Sequence, residues 1–416
     1  MFAYRDGRLF AEEVEIAAIA EAVGAPFYVY SRATLLERLT AFQTAFAGAE
    51  TLIAFAVKAN GALAVLSALA RAGAGADIVS AGELDRARKA GVAANRIVFS
   101  GVAKTEAEMA AALDAGIRQF NVESAPELAA LEETAKADGQ VAPVAIRLNP
   151  GVAAGGHVHI STGKAGDKFG VGAAEAVTLY ARAAASPHLA PLGVAVHIGS
   201  QILELDAFAL AFARCEELIT SLRRDGLAVS SLDIGGGLGV AGAGIPAPDL
   251  AAYGDMAAKL ANRLDVALIC EPGRAIAAEA GLMIARVVYV KEAPPKRFLI
   301  LNAGMNDLAR TALYGAAHPI RPVIEKSGAA VVTYDVVGPV CETTDRFSAA
   351  AALPELQAGD LVAFGEAGAY GATLASEYNA RPRIAEVMVS GRDFAVIRRR
   401  PTFDEMTGFD AIPDWV

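Results

Sequence analysis

Lys58 ends an apolar run, TLIAFAV, and Ala59-Asn60-Gly61 follow it without a second charge. An apolar wall favours the neutral amine, the form that attacks a carbonyl, so this placement suits Schiff-base chemistry. The plain alternative is a solvated charge at a strand end, where most lysines are found. A glycine-rich turn, DIGGGLG (233–239), lets backbone N–H groups approach phosphate oxygens with no Cβ in the way; otherwise it is only a flexible turn. EPGR (271–274) sets a carboxylate, Glu271, close to a guanidinium, Arg274, as a ligand pair or a surface ion pair. HIGSQ (197–201) offers His197, a catalytic group or a satisfied structural histidine. Further on, MNDLARTALYG places Arg310 and Tyr314 four apart, on one side of a helical turn. GPVCETTD holds Cys341 and Glu342 in a turn-rich stretch, and AYGATLASEYN sets Tyr370 among small residues.

These groups need a frame that brings them together. Eight β-rich runs alternate with alanine-rich helical stretches from about residue 50: 51–57, 76–80, 96–100, 119–123, 143–149, 193–199, 231–235 and 267–273. Helical segments lie at 63–73, 82–91, 104–116 and 124–139, and several of them begin at Ser or Glu and end at glycine, the expected cap chemistry. Eight apolar strands with helical crossovers predict a closed parallel (β/α)8 TIM-type barrel, with a doubly wound open sheet as the alternative. In such a barrel the working residues stand where strands end, which is where Lys58, His197, the glycine turn and Glu271 fall. The connection from 150 to 192 reads as an active-site loop before its helix. After about residue 280 the pattern changes to β-branched runs at 282–293, 297–303, 329–339 and 359–365, a second, β-rich domain. YRDGRLF at residues 4–10 reads as a hairpin that joins it. The expected boundaries are 26–279 for the barrel, and 1–25 with 280–416 for the β-rich domain.

Composition narrows the class. The chain has 416 residues, 54% hydrophobic and 20% charged, which describes a well-buried globule. A net charge of −10 disfavours nucleic acid or an anionic membrane as the main partner, and no apolar run is long enough to span a bilayer. The start lacks the pattern of a signal peptide. Three scattered cysteines match no zinc spacing and no disulfide framework, so the expectation is a cytoplasmic protein with no metal.

FAVKAN, GADIVSAGE, ISTG…KFG, VHIGSQ, DIGGGLG, EPGR, ALYGA, GPVCE and GAYG, spread over nearly the whole chain, together resemble the diaminopimelate decarboxylases. These belong to the barrel-plus-β-domain group of pyridoxal-phosphate enzymes, with the alanine racemases and the ornithine and arginine decarboxylases. The resemblance implies pyridoxal 5'-phosphate as cofactor, held on Lys58 as a Schiff base, with His197 against its ring and Glu271 at its pyridine nitrogen. Ser200, Gly235, Gly236, Gly237, Gly273 and Arg274 would hold its phosphate side, with Tyr370 adding a hydroxyl. Arg274, Arg310, Tyr314, Glu342 and Tyr370 would bind substrate, Arg274 serving either phosphate or substrate. Cys341 and Glu342 resemble residues that reach the site from a second subunit, implying at least a homodimer. The chain departs from the family after Asn149-Pro150, where Gly151-Val152-Ala153-Ala154 stand in place of acidic residues.

The implied reaction converts meso-2,6-diaminopimelate to L-lysine and CO2. A carboxylate at Glu271 keeps the ring nitrogen protonated and favours decarboxylation, whereas the racemases of the group place an arginine there. Arg274 and Arg310 suit the second carboxylate of the substrate and Glu342 its ammonium. Cys341 and the freed Lys58 are both candidates to return the proton. The nearest rival is a decarboxylase of another basic amino acid, in which aspartate usually follows the corresponding cysteine. A cofactor-free Schiff-base aldolase and a non-catalytic pyridoxal-phosphate carrier are more distant.

Overall fold

The structure is a computed structural model that describes residues 1–152, 163, 166–241 and 245–416. The chain forms two compact units, one of Leu35–Ile276 and one of Met1–Thr34 together with Ala277–Val416.

In the N-terminal part of the second of these units, β1 (Phe2–Arg5) and β2 (Arg8–Ala11) form the expected hairpin around Asp6-Gly7. Both turn residues have positive φ, the turn whose twist matches its strands. β3 (Val14–Glu15), α1 (Ile16–Val23) and β4 (Phe27–Ser31) follow.

The other unit is an eight-stranded parallel barrel, as the strand count predicts. Its strands are β5 (Thr51–Ala56), β6 (Gly75–Ile78), β7 (Ile97–Phe99), β8 (Gln119–Val122), β9 (Ala142–Leu148), β10 (Leu189–Val196), β11 (Ser231–Asp233) and β12 (Ala267–Cys270). They pair in sequence order, and β12 closes on β5. Around them run α2 (Arg32–Ala45), α3 (Leu63–Arg71), α4 (Ala81–Lys89), α5 (Glu106–Ala115), α6 (Ala125–Ala137), α7 (Ala173–Ala185), α8 (Asp206–Arg224), α9 (Leu250–Leu264) and the short α10 (Arg274–Ala277). The helix starts are written locally: Ser80 and Ser124 each accept the N–H three residues on, and Thr105 with Glu108 makes a reciprocal capping box. Gly193 sits where β9 and β10 slip register, and a Cβ there would overlap the Ser231 carbonyl. Only glycine lets β10 lie against β11 at that point.

Side chains alternate in and out along each strand. Leu52, Ala54, Val98 and Ile269 pack together as one buried apolar cluster. On the other face Phe99 stacks with Phe120, and Phe208 and Phe212 of α8 meet Tyr253 of α9.

The C-terminal part of the second unit supplies β13 (Gly281–Ala293), β14 (Lys296–Leu301), β15 (Ile320–Pro322), β16 (Val331–Val337), β17 (Arg346–Pro354), β18 (Leu361–Phe364), β19 (Ala385–Ser390) and β20 (Asp393–Arg398), with α11 (Arg310–Tyr314) and α12 (Phe403–Thr407). β13 is long enough to pair with β4, β14 and β18, so it ties the sheet together. β4 lies beyond residue 26, where the sequence reading begins the barrel. It nevertheless pairs with β13 and β19 of this sheet. Each of its five residues is buried, a run that fits either a barrel strand or a sheet centre.

Among the described residues no helix is long and apolar enough to cross a membrane, and no group of His, Cys, Asp or Glu is arranged to hold a metal. Of the expected active-site loop, residues 153–162 and 164–165 lie outside the described residues.

Candidate active site

One cavity of about 180 Å³ opens at the strand ends of the barrel. Lys58, Ser100, Asn121, Arg147, His197, Asp233 and Glu271 line it, with Val79 and Phe169. The positions follow the strand period: Gln119 then Asn121, Ser231 then Asp233, Ile269 then Glu271, each two residues further toward the open end. Lys58, His197 and Glu271, singled out from sequence, are thus brought together. Asp77, Ser100, Asn121, Arg147 and Asp233 were missed. Their signal was available, as lone polar residues at alternate positions inside apolar strands.

Lys58 stands in a single 3-10 turn, Val57–Ala59, after β5. Its Nζ is ion-paired with Asp77, a fully buried residue of β6. The sequence reading set this amine against an apolar wall; the fold sets it against a carboxylate instead. Glu83, on α4, lies near the pair and accepts the Val79 N–H at 2.8 Å. Its burial raises the pKa to about 7, with the charge of Asp77 acting in the same sense.

Glu271 is 5% exposed and Asp233 1%. The amide of Asn121 donates to Asp233 Oδ2 at 2.9 Å and to Glu271 Oε1 at 3.3 Å, and Ser100 Oγ reaches the same Glu271 oxygen at 3.4 Å. Gln119 in turn donates to Asn121 at 2.9 Å. Burial first, and then the charges of Asp233 and Asp77, push the Glu271 carboxyl well above the usual carboxylate range. Burial likewise raises Asp233 to about 6. A cation placed against Glu271 would oppose both effects and restore its charge.

His197 Nδ1 accepts the Gly236 N–H at 3.1 Å, so the proton of the neutral ring sits on Nε2. Its enclosure, and then the cations of Arg147 and Lys58, hold its pKa well below the ordinary histidine value. Arg147 is itself held by Glu123 at 2.8 Å and lies over the Phe169 ring at 5.1 Å. In the glycine turn, Gly235 has φ +65°, and a Cβ there would overlap the Val196 carbonyl and crowd the His197 ring. The N–H groups of Gly235 and Gly236 are already engaged, the former by Asp233 Oδ1 at 2.9 Å and the latter by His197. The expectation that all three glycines present N–H groups to a phosphate is therefore narrowed to Gly237 (φ +100°). Arg274 donates to Ser200 Oγ at 3.0 Å, joining two residues of the expected phosphate side, and Gly273 is buried just before it.

The other expected residues belong to the second unit. Arg310 and Tyr314 open and close α11, the single turn that their spacing predicts, with Gly315 in the left-handed conformation after it. The Cys341 N–H donates to Asn379 Oδ1 at 3.2 Å, and its side chain is exposed. Glu342 accepts from Tyr378 at 2.6 Å and from Thr344 at 2.9 Å, which hold its carboxyl below the usual range. Tyr370 is half-buried, with φ +55°.

The barrel pocket suits pyridoxal phosphate: an amine, a buried carboxyl and the His197 ring face one small cavity, and a glycine turn with no room for a Cβ packs against that ring. A profile described as "Pyridoxal-dependent decarboxylase, pyridoxal binding domain" matches residues 32–278. The diaminopimelate decarboxylase of Zymomonas mobilis subsp. mobilis is 45% identical over 420 positions, covering 100% of this chain and 99% of that protein. The diaminopimelate decarboxylase of Pseudomonas aeruginosa is 47% identical over 408 positions, with 97% of each covered. The chain belongs to the diaminopimelate decarboxylases. Its cofactor is pyridoxal phosphate. Among solved diaminopimelate decarboxylases, that of Helicobacter pylori complexed with L-lysine superposes with a TM-score of 0.92 at 40% identity, covering 95% of this chain and 98% of that one. A lysine/ornithine decarboxylase of Vibrio vulnificus, 23% identical with a TM-score of 0.80, shares the fold.

Proposed function

We propose that the chain decarboxylates meso-2,6-diaminopimelate to L-lysine and CO2, the last step of lysine biosynthesis. The observation that carries the reading is the convergence of Lys58, His197 and Glu271 on one barrel pocket, in a chain 45% identical to a diaminopimelate decarboxylase over its full length. Bound pyridoxal phosphate supplies an electron sink for the pair left behind when CO2 departs.

The protein's part is to anchor, orient and handle protons. Lys58 is the covalent anchor, and Asp77 holds its amine at the mouth of β5. Glu271 meets the ring nitrogen and keeps it protonated, while Asn121 and Ser100 fix its carboxyl. His197, oriented by the Gly236 N–H at Nδ1, would lie against the cofactor ring. Ser200, Gly237 and Arg274 bind the phosphate, Gly273 supports the turn that presents Arg274, and Tyr370 adds a hydroxyl. Arg310 pairs with the distal carboxylate of the substrate, Glu342 with its distal ammonium, and Tyr314 lines the same end. Either Cys341 or the freed Lys58 returns the proton.

Cys341 and Glu342 act from a second copy, so the working form is at least a homodimer. Three free cysteines agree with a reducing cytoplasm. Incubating the holoenzyme separately with meso-diaminopimelate and with ornithine tests the substrate. CO2 and lysine from the first alone are expected; equal or faster turnover of ornithine would replace this reading with its basic-amino-acid rival.

A further inference from the structure

Arg310 has a neighbour that neither the sequence reading nor the proposed reaction uses. The Nε2 of His318 lies 3.4 Å from Arg310 Nη1, and its Nδ1 lies 2.8 Å from the Gly365 carbonyl oxygen. A carbonyl can only accept, so Nδ1 carries the ring proton and Nε2 is left bare. A guanidinium has five donors and no acceptor, so the bare Nε2 is the partner it requires. The histidine is 7% exposed, whereas Arg310 is only half-buried. The backbone on the far side of the ring is pinned. The Gly365 N–H donates to the Pro319 carbonyl at 2.8 Å, and β15 pairs with β18 from Ile320 opposite Phe364 onward.

We propose that His318 is a positioning residue for Arg310, steering the guanidinium that receives the distal carboxylate of the substrate. The chemistry of the partner matters. A carboxylate beside Arg310 would orient it equally well but would cancel the charge that the substrate must find. A neutral imidazole takes up one N–H, orients the fork and leaves the full positive charge for the ligand. The proposal rests on the reading of Arg310 as a substrate-binding residue.

The test uses His318→Asn, His318→Gln, Arg310→Ala and the His318→Asn/Arg310→Ala double variant, each as holoenzyme with meso-diaminopimelate. Asparagine keeps a donor near the Gly365 carbonyl but is too short to face Arg310, while glutamine restores an acceptor further out. For His318→Asn the KM rises about tenfold with kcat within about twofold of the parent, and the inhibition constant of lysine rises in parallel. His318→Gln recovers most of the loss, and the cofactor absorbance is unchanged in both. In the Arg310→Ala background, His318→Asn adds nothing further to KM. An unchanged KM in His318→Asn, or effects that multiply in the double variant, overturns the positioning role. An unchanged KM in Arg310→Ala overturns instead the reading on which it rests. Should His318→Asn fail to fold, the comparison of His318→Gln with and without Arg310→Ala decides, since any change in KM must then vanish with the arginine.

Discussion

Burial makes a charged carboxylate costly at the strand ends, so Asp233 and Glu271 hold their protons more tightly there, with the charges of Asp233 and Asp77 adding to the effect on Glu271. Asp233, raised from 3.8 to about 6, keeps a proton in the folded chain that the unfolded chain releases. Its contribution to stability is therefore fully present below pH 4 and is lost as pH rises through 6. Asp233→Asn removes that slope and also lowers Glu271 by deleting a neighbouring negative charge, an effect of the same sign. Thermal melts of cofactor-free protein from pH 4 to pH 7 are expected to show the parent losing ground to the variant as pH rises. Parallel curves would mean that Asp233 is ionised throughout. The same pair explains why a cation suits this corner of the pocket.

Elements differ in how much a local change disturbs them. In the DIGGGLG turn, Gly235 combines a left-handed conformation with a close approach to the Val196 carbonyl, and its neighbour's N–H aims the His197 ring. Gly235→Ala must strain the backbone and displace the end of β10. A loss of at least about 2 kcal/mol and of cofactor binding is expected, read by melting and by absorbance titration. Thr105→Ala is the contrast. It deletes the capping box of α5, an exposed helix start, and costs about 1 kcal/mol with cofactor affinity and KM unchanged. If both variants lost the cofactor equally, the turn would have no special role.

The homodimer reading belongs to the scale of the whole molecule, where Cys341 and Glu342 are assigned to the partner's pocket. Lys58→Ala and Cys341→Ala are each inactive on that reading, for reasons located on different chains. Mixed under conditions that let subunits exchange, they form hybrid dimers with one intact site. About a quarter of parental activity is expected from random reassortment. Persistent inactivity, with exchange shown by differently tagged chains, would place Cys341 in the site of its own chain.

Much of the protein is written in neighbouring residues. Apolar runs of strand length, separated by capped alanine-rich helices, determine the barrel and its count of eight, because period and caps are local properties. Lys58, His197 and Glu271 were legible for the same reason: each follows an apolar run, and in this barrel all strands end on one face. The missed residues are those whose meaning depends on distant partners. Asp77 meets Lys58 across two adjacent strands, and Asn121 reaches Asp233, 112 residues away, only once the barrel has closed. The run FYVYS of β4 fits either unit, and only its pairing with β13 and β19 assigns it. His318 likewise lacks any local signal, since its role is set by a carbonyl 47 residues further on. The types and spacing of residues thus determined the fold and the cofactor. Closure of the strands decided which charge faces which, because that depends on contacts between parts of the chain that no local pattern can encode.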